Sequence, residues 1–350
     1  MKTEHILIIR FSAMGDVAMT VPVVQALARQ YPHLRITFLS RPFARPFFEG
    51  LAPNVGFMAA DIKNEYNGIR GLNALYKRIA AKNITAVADL HDVLRSSYLR
   101  FRFNLARYRV EHIDKHRTQR QRLVATTHKV MKPLPTAFQN YADVFAKLGY
   151  PVKLDFTSIF SPQGGNIRIL PPEIGTKKAF QEWIGVAPFA AHKQKVYPPE
   201  MLEKMITMLT KEHPSCRVFI FGKGPLEDPI INGIVSRNPQ CLNASAVLNG
   251  ISQELVLMSH LDVMVSMDSA NMHFASLVNT PVVSIWGATH PYAGFMGWGQ
   301  NEHNAVQIDL ACRPCSIFGN KPCLRGDLAC MRNISPEMVY ERVKQVLNKK

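Results

Sequence analysis

Apolar runs that end in small or polar residues alternate along this chain with segments of helical period. Residues 6–9 (ILII) form one such run, as a parallel strand covered on both faces requires. Val17, Val21, Val24 and Leu27 then recur at helical spacing. Further runs are LRITFLS, ending at Ser40, then ITAVADLHD, ending near Asp89, and YRVEHID. AFQNYADVFAKLGY predicts a helix stopped by Gly149. Residues 161–176, rich in proline and glycine, predict an interdomain linker. WIGVAPF, RVFIFGKG, LDVMVSMD and PVVSIWGAT make a second set of strands, with a helix after Pro198-Pro199. SPEMVYERVKQVL predicts a terminal helix opened by Ser335-Pro336-Glu337. This alternation predicts parallel sheets with right-handed crossovers, and 350 residues suit two cores better than one.

In open α/β sheets ligands bind at the carboxyl ends of strands, so the chemistry is sought there. The first strand runs into Arg10, Ser12, Gly15 and Asp16. Aspartate at a helix start is ordinarily a cap, accepting bonds from free amides of the first turn. The loop has no GxGxxG, so a dinucleotide fingerprint is not supported. In the second half, Asp268-Ser269-Ala270-Asn271-Met272-His273 bridges a strand and a helix, where amides and dipole favour an anion. Asp268 fits a donor group such as a ribose hydroxyl, although a cap and a core histidine are the ordinary readings of Asp268 and His273. Lys193 and Lys195 follow Ala190 and Ala191 in a loop, where a lysine can neutralise a pyrophosphate leaving group; loop lysines are usually only solvated. FGKGPLED adds Gly222, Gly224 and Glu227, and WGATHP adds Gly287, Thr289 and His290.

Charge changes the picture. The net charge of +16 and pI near 9.7 imply an anionic partner: nucleic acid, a membrane surface or a phosphorylated substrate. Between Arg95 and Lys132 eleven basic residues are opposed only by Glu111 and Asp114. No apolar run approaches the ~18 residues of a membrane span, and no secretory pattern opens the chain, so a cytosolic protein is expected. Cys312 and Cys315 have zinc-knuckle spacing, but six residues separate Cys323 from Cys330. Reduced thiols packing a tail loop are the favoured reading, beside a structural metal or one disulfide.

The order of these motifs resembles glycosyltransferase family 9, the ADP-heptose:lipopolysaccharide heptosyltransferases, over most of the chain. ILIIRFSAMGDVAMTVPVVQAL is similar to that family's opening strand, loop and helix. DLHDVLRSSYLR and DKHRTQRQRLV resemble its acceptor-side segments, and KVYPPE its lysine–aromatic–proline motif. MDSANMHFASLVNTPVVSIWGATHP resembles its donor-site signature, and the late cysteine stretch followed by SPEMVYERV also fits.

The resemblance implies a GT-B fold: two Rossmann-like domains facing across a cleft, with the last helix packing back on the first. The expected boundaries are 1–165 together with 336–350 for an acceptor domain, and 176–335 for a nucleotide-sugar donor domain. It implies inverting transfer without metal or cofactor, the nucleotide sugar being a co-substrate, with Asp16 as general base and Lys195 neutralising phosphate. Donor contacts are expected at Ala190, Ala191, Lys195, Gly222, Glu227, Asp268, Ser269, Ala270, His273 and Thr289. Acceptor contacts are expected at Arg10, Ser12, Arg41, His91, Arg95, Lys115, Arg117 and Arg120. The expected partners are ADP-heptose, an anionic inner-core glycolipid and the cytoplasmic face of the inner membrane, met through a basic surface. No nucleic acid is expected. Ala270 stands where the family has glycine, and Tyr197 where it has tryptophan. Both keep a UDP- or GDP-sugar donor as the alternative. Tyr98, Phe101, Phe103 and Tyr108 interleave with arginines, which leaves a basic nucleic-acid-binding protein as a remote one.

Overall fold

In the computed structural model, which describes residues 4–349, the first apolar run becomes strand β1 (His5–Ile9), buried along its whole length. It pairs in parallel with β2 (Arg35–Ser40) on one side and β4 (Ala86–Asp89) on the other. With β3 (Val55–Ala59) and β5 (Arg109–His112) the sheet order is β3-β2-β1-β4-β5. Leu7 and Ile9 of β1 pack with Leu75 and Ile79 of helix Gly68–Ala80 and with Leu99 and Phe103 of helix Leu94–Leu105. Residues up to 115, together with 135–156, form this unit. Because the order reverses between β1 and β4, the loops after these two strands diverge and open a crevice at their carboxyl ends.

A second unit holds residues 116–134 and everything from 157 onward. Its strands are β6 (Trp183–Ala187), β7 (Arg217–Ile220), β8 (Cys241–Asn243), β9 (Val263–Met267), β10 (Val282–Ile285) and β11 (Ala305–Val306). They are again all parallel, in the order β11-β10-β9-β6-β7-β8. The reversal here lies between β6 and β9. Both units are Rossmann-like, as expected.

Three boundaries differ from the expectation. The terminal helix Pro336–Leu347 does not return to the first unit: Val339, Tyr340, Val343 and Val346 enter the core of the second, against helix Pro199–Glu212 and the central strands. Its apolar stripe announces a buried face, and the matching stripe of Leu202, Met205, Ile206 and Leu209 lies in its own unit. Residues 161–176 are not a free linker. Gly165 donates to Ser259 Oγ (2.9 Å), its carbonyl meets His260 Nε2 (2.8 Å), and two 3-10 turns, Ile167–Ile169 and Pro172–Ile174, follow. The basic segment is divided: Arg95 and Lys115 belong to the first unit, Arg117 and Arg120 to the second.

Tyr197, flagged as a departure from tryptophan, is fully buried in the second core, and its hydroxyl donates to the Ile334 carbonyl at 2.8 Å. It therefore joins the loop before helix Pro199–Glu212 to the segment that starts the terminal helix.

Candidate functional site

At the crevice of the first sheet, Arg10 follows β1 and is nearly buried. Its Nη2 pairs with Asp16 Oδ1 at 3.1 Å, its Nη1 donates to the Leu90 carbonyl, and the guanidinium lies 5.5 Å from the Tyr141 ring centre. Burial disfavours its charge, but Tyr141, Asp16 and Asp89 more than offset that, and its pKa lies above the ordinary value. Asp16 does not occupy the cap position; Ala13 does. As third residue of helix Met14–Ala18, Asp16 returns Oδ2 to the Ala13 N–H (3.1 Å), which is half of a capping box. The Tyr141 hydroxyl donates to its main-chain carbonyl (3.4 Å), and the side chain stays 26% exposed, so solvent reaches it. The carboxylate is thus fixed from two sides and open on another.

His91, beyond β4, bridges the same loop. Its Nδ1 accepts the Phe11 N–H (3.4 Å) and its Nε2 lies 3.3 Å from Ser12 Oγ. Burial, with Arg10 and Lys115 adding positive charge, lowers its pKa from 6.5 to about 3. The folded protein therefore holds a neutral ring where the unfolded chain binds a proton. This contribution to stability is complete above pH 6.5 and is lost as pH falls towards 3. We expect wild type to lose up to about 1.4 kcal/mol per pH unit across that window from this group, and His91→Asn to flatten the slope. Urea unfolding at pH 5 and pH 7.5 checks this; equal slopes in the two proteins would refute it.

Asp89, fully buried at the end of β4, anchors the neighbouring turn. Its Oδ1 accepts the N–H groups of His91 (2.9 Å) and Asp92 (3.0 Å), and its Oδ2 pairs with Arg100 (3.1 Å). Arg100 also holds Asp92 (3.1 Å), while Lys115 Nζ donates to the Asp92 carbonyl (2.7 Å). Arg41 precedes the turn Pro42–Ala44, which packs on helix Met14–Ala18. The structure therefore brings Arg10, Ser12 and His91 together at the Asp16 loop, with Lys115 on the adjoining Asp92 turn and Arg41 over the Phe43 ring. Arg95 is exposed further along helix Leu94–Leu105. Arg117 and Arg120 lie in the other unit, where Arg120 stacks over Phe295 and Phe318 (5.1 and 5.7 Å).

At the crevice of the second sheet, Lys195 comes from the loop after β6 and Asp268 from the end of β9. Lys195 Nζ lies 3.3 Å from Asp268 Oδ2, and the Thr289 hydroxyl, from the loop after β10, donates to the same oxygen at 2.8 Å. Asp268 is one residue ahead of the N-cap position, so its capping reading is corrected: Ser269 holds that position at helix Ala270–Leu277 without a side-chain cap bond, its Oγ lying 3.2 Å from Ser266 Oγ. His273 is buried within that helix and Ala270 is its first residue. Ala190 and Ala191 lie in the same loop as Lys195. Gly222 begins the loop after β7, and a Cβ there would stand 3.0 Å from Glu227 Oε2. Glu227 accepts the Lys223 N–H (3.0 Å), and burial raises its pKa.

The sequence reading missed what seats Lys195. Cys315 and Ser316 donate their N–H groups to the Ala288 carbonyl (3.0 and 3.2 Å), and Ala288 donates to that of Gln194 (3.3 Å). Arg313, 4% exposed, donates to the carbonyls of Gly287 (2.5 Å) and Thr289 (3.0 Å). The late cysteine stretch is thus a strap over the Lys195 loop. At Gly319, φ is +76° and a Cβ would lie 2.5 Å from Lys195 Cγ. Gly319→Ala is expected to displace the Lys195 side chain and, where that lysine meets a leaving phosphate as the resemblance implies, to lower kcat about tenfold, since small misplacements of a reacting group cost that much or more. Steady-state kinetics check it, and unchanged kcat would show that the contact is idle.

All six cysteines are free, and Cys312, Cys315, Cys323 and Cys330 line a small cavity with Gln194, Ala288 and Arg313. Burial pushes the Cys330 thiol up to about 11. Among the described residues, no group of three or more His, Cys, Asp or Glu side chains is arranged to hold a metal ion. Of the four aromatics that could have formed a stacking platform, Phe103 is core, Tyr98 donates to Asn73 (2.9 Å), and Tyr108 packs edge-on against Phe103.

Residues 72–321 match the family model of glycosyltransferase family 9 (heptosyltransferase). Lipopolysaccharide heptosyltransferase 3 of Escherichia coli is 24% identical over 302 residues, 84% of this chain and 85% of that protein. Lipooligosaccharide heptosyltransferase 2 of Campylobacter jejuni is 27% identical over 133 residues, 37% of this chain and 40% of the relative. The chain thus spans about two fifths of the length of the first curated relatives it matches. In fold it is similar to the glycosyl transferase family 9 crystal structure from Veillonella parvula, with TM-score 0.74, 18% identity, and 100% and 99% of the two chains covered. E. coli heptosyltransferase WaaC with ADP gives a TM-score of 0.67 at 16% identity, covering 98% and 99%.

Proposed function

The chain belongs to glycosyltransferase family 9, the heptosyltransferases of lipopolysaccharide biosynthesis, and from that premise we propose that it moves a heptose from ADP-heptose to the Kdo/heptose-lipid A inner core, with inversion and without a metal ion. The observation that carries this reading is the Lys195–Asp268–Thr289 cluster at the crevice of the second sheet, beside the start of helix Ala270–Leu277. An ammonium and a helix N-terminus are the two features that stabilise a diphosphate as its charge grows.

In this mechanism Asp16 accepts the proton of an acceptor hydroxyl as that oxygen attacks the anomeric carbon. The bond from that carbon to the diphosphate oxygen breaks, and ADP departs with its new negative charge met by Lys195. Arg10 and the Ala13 N–H hold the Asp16 carboxylate in one orientation. Asp268 and Thr289 orient Lys195, whose three donors allow it to keep Asp268 while it binds a phosphate oxygen. Arg41, Arg95 and Lys115 suit the carboxylates and phosphates of an inner-core acceptor. No helix among the described residues is long and apolar enough to cross a membrane. The acceptor is a lipid, so the enzyme would work at the cytoplasmic face of the inner membrane through its basic surface.

A calorimetric titration in EDTA against ADP, UDP, GDP and a short oligonucleotide tests the reading. Micromolar binding of ADP alone, followed by transfer from ADP-heptose in EDTA, is the expected result. Preference for UDP or GDP would replace the donor, and binding of the oligonucleotide alone would overturn the proposal.

A further inference from the structure

Helix Leu94–Leu105 is apolar on two opposite faces. Ser96, Leu99 and Phe103 are buried against the first sheet. At 100° per residue, Leu94, Tyr98, Phe101 and Leu105 fall on the other side, within about 60° of one another. Leu94 is 90% exposed, Phe101 60% and Leu105 71%. Ile69, 66% exposed, begins the neighbouring helix Gly68–Ala80, which Tyr98 joins through Asn73. A contiguous apolar stripe of this kind marks an interaction surface.

The surroundings say what kind. Neither helix contains an aspartate or glutamate, while together they carry Arg70, Lys77, Arg78, Arg95, Arg100 and Arg102. Arg70, Lys77, Arg78 and Arg95 are exposed, as is Arg107 just beyond. The two acids ahead of the second helix, Asp89 and Asp92, are neutralised by Arg100. An apolar stripe flanked by the basic residues of two helices that carry no acid matches the boundary of an anionic bilayer, where side chains enter the acyl region and cations meet headgroup phosphates. A phosphodiester backbone alone would leave Leu94 and Leu105 without a partner.

We propose that the outer face of helix Leu94–Leu105 is a docking surface that inserts Leu94, Phe101 and Leu105 into an anionic lipid interface. It rests on the lipid-linked acceptor reading above for its purpose, and its test does not depend on catalysis. The probe is flotation of the full chain with phosphatidylcholine vesicles, with and without phosphatidylglycerol. Wild type should float only with the anionic vesicles, and less so at high salt. The triple variant Leu94→Gln, Phe101→Gln, Leu105→Gln should lose at least tenfold in partitioning, and the charge variant Arg70→Glu, Lys77→Glu several-fold. ADP affinity and turnover on a deacylated acceptor should stay within twofold in both.

Undiminished flotation of the triple variant would overturn the proposal. So would a wild-type dimer in sedimentation velocity that the triple variant splits, since the stripe would then be a self-interface. Failure of the donor reading shows separately, as absent ADP binding in wild type.

Discussion

Asp16→Asn should lower kcat by roughly 10²–10⁴, the range that a positioned general base contributes. The substitution keeps the volume and leaves an amide oxygen that can still accept the Ala13 N–H, so helix Met14–Ala18 keeps its start. What it removes is the charge facing Arg10 and the ability to take a proton. ADP affinity should stay within twofold, because the residues assigned to the nucleotide belong to the second unit. Turnover on a soluble acceptor and calorimetry with ADP read these two quantities separately. A kcat within tenfold of wild type would take the base role away from Asp16. Loss of ADP binding would show instead that the variant had lost its fold.

The same residue shows how much of the site was legible in the sequence. A glycine followed by an acid at the end of a fully apolar strand placed Asp16 at a carboxyl edge, and the sheet order puts that edge at the crevice. Its ordinary reading holds in part, since one oxygen accepts the Ala13 N–H, while the other pairs with Arg10 and leaves the carboxylate partly open for the role proposed for it. Tyr141 was not legible, because a contact across 125 positions leaves no periodic trace. Arg10, read as an acceptor contact, is nearly buried and pairs with Asp16, a contact the sequence did not show.

Strands covered on both faces announced themselves, as β1, β2, β4, β6, β7, β9 and β10 did. The others have weaker patterns: β3 is only partly buried, β8 has three residues and β11 has two, whereas β5, an edge strand that is partly exposed, was still legible in YRVEHID. Local patterning also reveals that a face is buried without saying against what. The terminal helix was therefore assigned to the wrong unit. Charge likewise did not announce the packing of residues 116–134, where Leu123 is buried and Arg120 lies over two aromatic rings. The strap that seats Lys195 was hidden behind its cysteines, whose spacing drew attention to metal chemistry rather than to Arg313 and Gly319.

Lys195→Met should lower kcat by roughly 10²–10³, comparable to removing one preorganised donor from a developing anion. Methionine preserves an unbranched stem for the contact with Gly319 and deletes only the charge. Thr289 still donates to Asp268 in the variant, so the carboxylate keeps one partner of its two. The size of the effect on ADP binding then separates two roles. A lysine that meets charge as it develops on the departing diphosphate interacts more strongly in the transition state than with bound donor, so kcat should fall much further than ADP affinity. If affinity and kcat/KM fell together while kcat stayed near wild type, Lys195 would serve ground-state binding alone, and stabilisation of the leaving group would have to come from the start of helix Ala270–Leu277.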